Sequence, residues 1–387
     1  MTKEERVLSV IKKKEVDYLP SQITFADRTR KEMLSKSMGM ASVGELDDYL
    51  ENHLYMTVPL DDGPLFYKND KKMMQELQEM GYCRVDWENN VVYDRWGLGI
   101  DIGSEGFFPV FHPLQGGAEK GLVEKSMPSD FKKSILFASD EEAIRNYSAP
   151  DYNKEDNFSW MARDIKEHAG KYLVWPSGLL GIFERAWTLM GFEEFLTELV
   201  ANPGLVEGLL DTITDYKVEV AKRAVEMGFK VGNYGDDLGN QRGPMFSRSM
   251  FQKFFKPRMA RIFGVFKDAG LPMMMHSCGN ITEFVPDLIE IGLDVLEPTQ
   301  PCMDHKYLKR EFGKDLTFWG GIDTQNLLPY GTPEQIKKMA AETIRILGKG
   351  GGHIIAPSQE IMKDVPIENV KALVETIIEE REKVINL

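Results

Sequence analysis

The sequence predicts an α/β protein, a (β/α)8 TIM barrel with an N-terminal extension covering one end. Two observations carry that expectation. From residue 171 onward, short apolar runs alternate with amphipathic helical stretches. Nearly every polar cluster in that half falls at the carboxyl end of one of those runs. Strand and helix alternating at this spacing imply parallel strands joined by right-handed crossovers. In a barrel of that kind, chemistry gathers at the carboxyl ends of the strands.

The elements follow in order. "YLPSQITF" near residue 18 is a candidate first strand, behind the charged amphipathic helix "MTKEERVLSVIKKKEVDYLP". "KYLVWPSG", "KVGNYGDD", "LPMMMHSCG", "LDVLEPTQ", "LTFWGGID" and "GGHIIAPSQ" supply six more, starting near 171, 230, 271, 293, 316 and 351. Between them, "SRSMFQKFFKPRMARIFGVFKDAG" has Ser247 as N-cap and Gly270 as its stop. "NITEFVPDLIEIG" ends at Gly292 in the same way, and "TPEQIKKMAAETIRILGKGG" is a further helix. No Gly-rich phosphate fingerprint follows any strand, which favours a barrel over an open doubly wound sheet. Residues 25–150 hold aromatic and Gly-rich patches and read as an irregular N-terminal elaboration of a single 1–387 domain.

Composition limits the function classes. The 387 residues carry a formal charge of −14, which argues against nucleic acid or an anionic membrane as main partner. Hydrophobic residues make up 42%, enough for a sizeable core. No apolar stretch is long enough for a membrane span, and the amino terminus lacks a signal-peptide core. Three cysteines, Cys83, Cys278 and Cys302, are too few and scattered for a disulfide framework. A reducing cytoplasm is the expected location. The 21 methionines are read as core packing.

The strand ends deliver the candidate site. His276 and Cys278 stand two apart, so on a strand they face the same side, and zinc suits an imidazole with a thiolate. Glu297 ends the neighbouring run and offers a carboxylate. Asp236 and Asp237 are adjacent, so only one points inward. Either caps a following helix or loop, or acts on substrate as acid or base, or supports a metal-bound histidine. Trp175, Tyr234 and Trp319 are candidates to line a substrate pocket, with Gln300 beside them. Gln359 ends the last run. Cys302 reads as a loop thiol, and His305 and His353 as structural.

The motifs "GDDLGNQRGPMFS", "FFKPRMARI", "HSCGNI", "FWGGIDTQ" and "APSQEIMKDVPIENV", in this order, resemble the uroporphyrinogen decarboxylase superfamily, closest to its methyltransferase-like branch. The resemblance covers roughly residues 170–387 and implies a βα barrel. The decarboxylase's amino-terminal Arg-rich stretch has no counterpart in "YLPSQITFADRTRKEM", where Arg28 and Arg30 are weak substitutes. The methyltransferase branch implies zinc held by an H-x-C pair and a later cysteine. His276 and Cys278 match the pair, but Gln359 stands where the cysteine falls. Cobalamin-independent methionine synthase, a more distant relative, is similar in having a metal-binding glutamate about twenty residues after its H-x-C. Glu297 lies 19 residues after Cys278. The resemblance therefore implies a metal set of His276, Cys278 and Glu297, completed by Gln359 or water.

Its implied activity is methyl transfer with a corrinoid (cobalamin) carried on a separate protein, since no D-x-H-x-x-G appears here. Losing a thiolate ligand leaves zinc more Lewis acidic. That directs the expectation to demethylation of a methoxylated, aryl methyl ether substrate. Transfer between a methylcorrinoid and a thiol or folate is the alternative. A metal-free lyase of decarboxylase type, using Asp236 or Asp237 with Arg242, is another, and a homodimer is an admitted assembly.

Overall fold

A computed structural model describes residues 1–26, 28–104, 106–115, 140–178 and 180–386. The side chains of Arg28 and Arg30 lie outside that description. The central feature is a ring of parallel strands. Five of them, β7 (Gly232–Gly235), β10 (Met273–His276), β11 (Val295–Thr299), β12 (Thr317–Ile322) and β13 (His353–Pro357), pair in one sheet in sequence order. Two more, β1 (Leu54–Thr57) and β6 (Leu173–Pro176), pair in parallel with Leu54 opposite Leu173. Backbone bonds close the gaps. Gly235 N–H donates to Gly178 O at 2.8 Å, joining β6 to β7. At the other edge Gln22 N–H reaches Ile355 O at 2.9 Å, and His53 N–H reaches Ser21 O at 3.1 Å. The segment around residues 20–24 is thus the strand that joins β13 to β1 and completes eight.

Seven of the eight strands fall where the sequence places them. The eighth, β1, lies inside the 25–150 stretch read as irregular, and that reading is corrected here. Its four residues, "LYMT", form a run too short and too mixed to stand out. Strands such as β12 and β13 are buried on both faces, which is why they read as largely apolar runs.

Alternation along each strand divides its side chains between two environments. Met273 and Met275 face outward into the helix layer, with Phe263, Phe266 and Leu288. Met274 faces the lumen, with Leu54, Leu173, Val231, Val295, Trp319 and Ile354. Val7 and Ile11 of the helix Lys3–Ile11 join that lumen cluster and close the barrel floor.

The chain between β1 and β6 carries an antiparallel sheet of β2 (Cys83–Asp86), β3 (Val91–Asp94), β4 (Gly99–Asp101) and β5 (Pro109–Phe111), and a short hairpin of β8 (Gly239–Asn240) and β9 (Gly243–Pro244) follows β7. The four-stranded sheet starts beyond the carboxyl end of β1 and packs Val92, Leu98 and Ile100 against Leu180, in the loop after β6. Asp94 and Arg185 form an ion pair at 2.7 Å with both side chains fully buried, tying this sheet to the helix Ile182–Met190. The elaboration therefore borders the mouth of the barrel beside β1 and β6.

Candidate metal centre

His276 is the last residue of β10 and faces the lumen by the same alternation that places Met274 there. Cys278 is not on the strand; it lies in the loop that follows. A tight turn brings it back. Gly279 has φ +86°, and a Cβ there would sit 2.2 Å from the backbone carbon of Gly239. Only glycine permits both that angle and that approach. The two loops are pinned together by Asn280 N–H donating to Asn240 O at 2.8 Å. The result is a Cys278 Sγ 3.5 Å from His276 Nε2.

The two adjacent aspartates have opposite fates. Asp237 turns into the mouth, where its Oδ1 accepts the Cys278 N–H at 2.7 Å and lies 3.4 Å from His276 Nε2. Asp236 turns outward and is fully buried. Its carboxylate accepts Tyr234 O–H at 2.6 Å, Phe183 N–H at 3.0 Å and Glu184 N–H at 2.8 Å. It caps the helix Ile182–Met190 from just past the end of β7 and touches nothing in the mouth, so its expected catalytic role is corrected to a structural one. Burial pushes its pKa up to about 6 against those donors.

Tyr234 is corrected for the same reason. Its ring packs outward on Phe263, at 5.7 Å between centroids, and its hydroxyl accepts Ile182 N–H at 2.8 Å. Gln300, expected at substrate, serves the loop instead. Its Oε1 accepts Gly279 N–H at 2.8 Å, and its Nε2 donates to Cys278 Sγ at 3.4 Å.

Glu297 and Gln359 also sit differently from the expected ligand set. Glu297 Oε2 meets His276 Nδ1 at 2.5 Å, on the ring edge away from Cys278. A carboxylate there, the usual second partner of a metal-bound histidine, holds the proton on Nδ1 and turns Nε2 toward Asp237 and Cys278. Gln359 turns its amide Nε2 to Cys278 Sγ at 3.2 Å, while its Oε1 accepts the Glu360 N–H at 3.1 Å. An amide nitrogen is a donor, not a ligand. The atoms that converge are Asp237 Oδ1, His276 Nε2 and Cys278 Sγ, all within 4.8 Å of one another.

The electrostatics agree with a cation at that point. Burial opposes charge on His276, but Glu297, Cys278 and Asp237 outweigh it and hold its pKa well above the ordinary histidine value. Asp237 is lowered despite its burial, by His276 and the Cys278 N–H. Burial raises the Cys278 thiol, with His276 acting against it. One carboxylate, one imidazole and one thiol with a free side match an open three-ligand zinc site. The donors present therefore fit zinc.

Two acids absent from the expected set complete the surroundings. Glu184, in the first turn of the helix that Asp236 caps, lies close enough to Asp237 that burial and that carboxylate raise it well above the ordinary value. Glu360 is exposed on its outer side, yet desolvation of its carboxyl at the mouth pushes it up to about 7, with His276 pulling the other way. Glu360 directly follows Gln359 past the end of the last apolar run, which is the signal that could find it; Glu184 carries no sequence signal beyond an acid in a helix's first turn. Trp175 and Trp319 meet edge to face at 5.3 Å on the lumen side, Trp319 nearly buried and Trp175 half-buried. Cys302 stays clear of the three donors, with Sγ 4.0 Å from Gln300 Oε1. His305 and His353 are bonded to the backbone of Gln300 and Gly320, as structural histidines.

The profile of the family described as uroporphyrinogen decarboxylase (URO-D) matches residues 117–380, well over half of the chain. The chain belongs to the uroporphyrinogen decarboxylase family.

Within the family, similarity leads toward methyltransferases. The chain is 24% identical over 306 residues to a methylcobamide:CoM methyltransferase of Methanosarcina mazei, covering 79% of this chain and 84% of that protein. A methylated-thiol–coenzyme M methyltransferase of the same organism is 24% identical over 193 residues, about half of either chain. A uroporphyrinogen decarboxylase of Psychromonas ingrahamii is 23% identical over 211 residues, 52% of this chain and 58% of that one. Among solved structures, a methyltransferase from Methanosarcina mazei superposes with a TM-score of 0.60 at 20% identity, covering 98% and 99% of the two chains. That likeness supports the family barrel.

Proposed function

We propose that this uroporphyrinogen-decarboxylase-family chain is a zinc-dependent methyltransferase working with a corrinoid held on a separate protein. The observation that carries the reading is the convergence of Asp237 Oδ1, His276 Nε2 and Cys278 Sγ at the barrel mouth. The relatives named for methylcobamide and methylated thiols support the reaction class.

Zinc held by those three residues would supply Lewis acidity toward the heteroatom that carries or receives the methyl group. The chain's own groups set how strong that acidity is. Glu297 fixes the imidazole through Nδ1. Gln300 and Gln359 both donate to the Cys278 sulfur and draw electron density from it. A carboxylate at Asp237 donates less than a second thiolate. Together these favour a more electrophilic centre, suited to assisting an alkoxide or phenoxide to leave. The substrate class proposed is therefore a methoxylated aromatic, demethylated toward the corrinoid, with Trp175 and Trp319 as the aromatic wall. A cytoplasmic location belongs to this proposal; among the described residues no helix is long and apolar enough to cross a membrane.

The test is to incubate zinc-loaded protein with reduced cobalamin and a panel of methoxyarenes and follow methylcobalamin formation by absorbance. Methylation dependent on Asp237, His276 and Cys278 is expected. Transfer only between methylcobalamin and thiols would remove the ether reading and keep the methyltransferase. Wild-type levels of zinc and activity in all three alanine variants would remove both.

A further inference from the structure

A separate feature lies on the barrel flank, between the helix His305–Phe312 and the helix Pro333–Gly348. A groove of about 680 Å³ runs between them, lined by Lys306, Lys309, Arg310, Lys338, Arg345 and Lys349, with Glu342 the single acid. This concentration of positive charge stands on a chain whose formal charge is −14.

Local structure explains only part of it. Arg310 pairs with Glu311, and Arg345 with Glu380. Lys309 donates to Gly351 O at 2.7 Å, and burial lowers its pKa to about 8. Cations in the last turns of the two helices also suit the negative ends of the helix dipoles. Lys306 does not, because it stands in the first turn, where that dipole disfavours a positive charge. Among the described residues, Lys306, Lys338 and Lys349 are exposed and have no hydrogen-bond or ion-pair partner. Three free amines along a concave surface are held apart by their helices rather than neutralised.

We propose that this groove is a docking surface for an acidic segment of a partner polypeptide. Four of its six cations are lysines, separate point charges strung along two helices rather than converging on one spot, which suits carboxylates spaced along a polypeptide better than a single compact phosphate. A long nucleic-acid strand would run past the groove onto the acidic remainder of the chain, whereas a short acidic segment stays within it. The groove is shallow, and Ile346, half-buried, is the one hydrophobic residue among those lining it. The rest of its apolar surface is the stems of charged side chains, which does not suit insertion into a lipid surface. A carboxylate-bearing segment laid between the helices would meet Lys306, Lys338 and Lys349 in turn, while the rest of the partner is kept in register by repulsion elsewhere. The surface is independent of the chemistry at the barrel mouth.

The experiment uses the full chain and a fluorescein-labelled deca-glutamate peptide, read by fluorescence anisotropy at low and at physiological salt. Binding at low salt is expected. It should weaken about tenfold on raising the salt, and by a similar factor in the Lys306→Glu/Lys338→Glu/Lys349→Glu variant. A control with three other exposed lysines reversed, Lys12→Glu/Lys14→Glu/Lys166→Glu, should bind as wild type. All six positions are on the surface, so the folded state is retained. Equal loss in both variants, or none in the first, would overturn the proposal. So would tighter binding of an oligothymidylate of the same length, or of phosphatidylserine vesicles, than of the peptide.

Discussion

At the scale of single residues, the site turns on which edge of one imidazole each acid meets. Asp237 faces Nε2 and Glu297 faces Nδ1, so two carboxylates of the same chemistry have different work. This separates two outcomes for zinc titration of purified variants. Cys278→Ala or Asp237→Ala removes a donor and is expected to abolish tight binding. Glu297→Gln keeps all three donors and is expected to weaken binding about 10- to 100-fold, the usual effect of losing a ligand's supporting partner. A Glu297→Gln loss as complete as that of Cys278→Ala would return Glu297 to the ligand set. Glu297 and Gln359 were legible as site residues from their strand ends. Their contacts were not, because a ring nitrogen or an amide end is chosen by loop geometry.

At the scale of elements, the helix Ile182–Met190 has no capping side chain of its own; Gly181 stands at its N-cap. Its first amides are taken by Tyr234 on β7 and by Asp236 just past the end of that strand. Asp236→Ala leaves the Phe183 and Glu184 N–H groups buried without partners. It is expected to lower unfolding free energy by about 3 kcal/mol in urea titrations, at the upper end for buried donors left unpaired. A change under about 0.5 kcal/mol would contradict the capping role. The turn at Gly279 is the second such element. Gly279→Ala adds a Cβ 2.2 Å from Gly239 at a positive φ, so the two loops must part. Destabilisation of about 1 kcal/mol or more is expected, together with weakened zinc binding as Cys278 shifts.

At the scale of the whole molecule, two histidines far from the mouth govern acid stability. His53 and His353 are both fully buried, and burial lowers each pKa to about 3. His53 is also set beside Arg6, whose guanidinium lies 3.2 Å from its Nε2. Both are neutral in the fold, whereas the unfolded chain binds their protons near pH 6.5. Their contribution to stability is present above pH 6.5 and is lost as pH falls from there toward 3. Each should steepen the loss by about 1.4 kcal/mol per pH unit within that window. Thermal or urea unfolding across it should show a shallower pH dependence in His353→Gln. An unchanged slope would mean that His353 takes up its proton in the folded state.

The sequence by itself determined the order of the strands, the inward direction of His276 and the family. Those follow from local periodicity: apolar runs of fixed length, side chains alternating at a period of two, and motifs in a set order. It also placed the thiol, imidazole and acids at one end of one barrel. Tertiary structure decided the rest. It found β1 in a stretch of four unremarkable residues, because pairing with β6 rather than composition makes that strand. It sent Asp236 outward and Asp237 inward, brought Glu184 in on a helix capped from another element, and chose Asp237 over Glu297 as the donor beside Nε2. Each of these depends on backbone contacts between segments distant in sequence, such as Gly279 against Gly239. The periodicity of a single segment holds no record of such contacts.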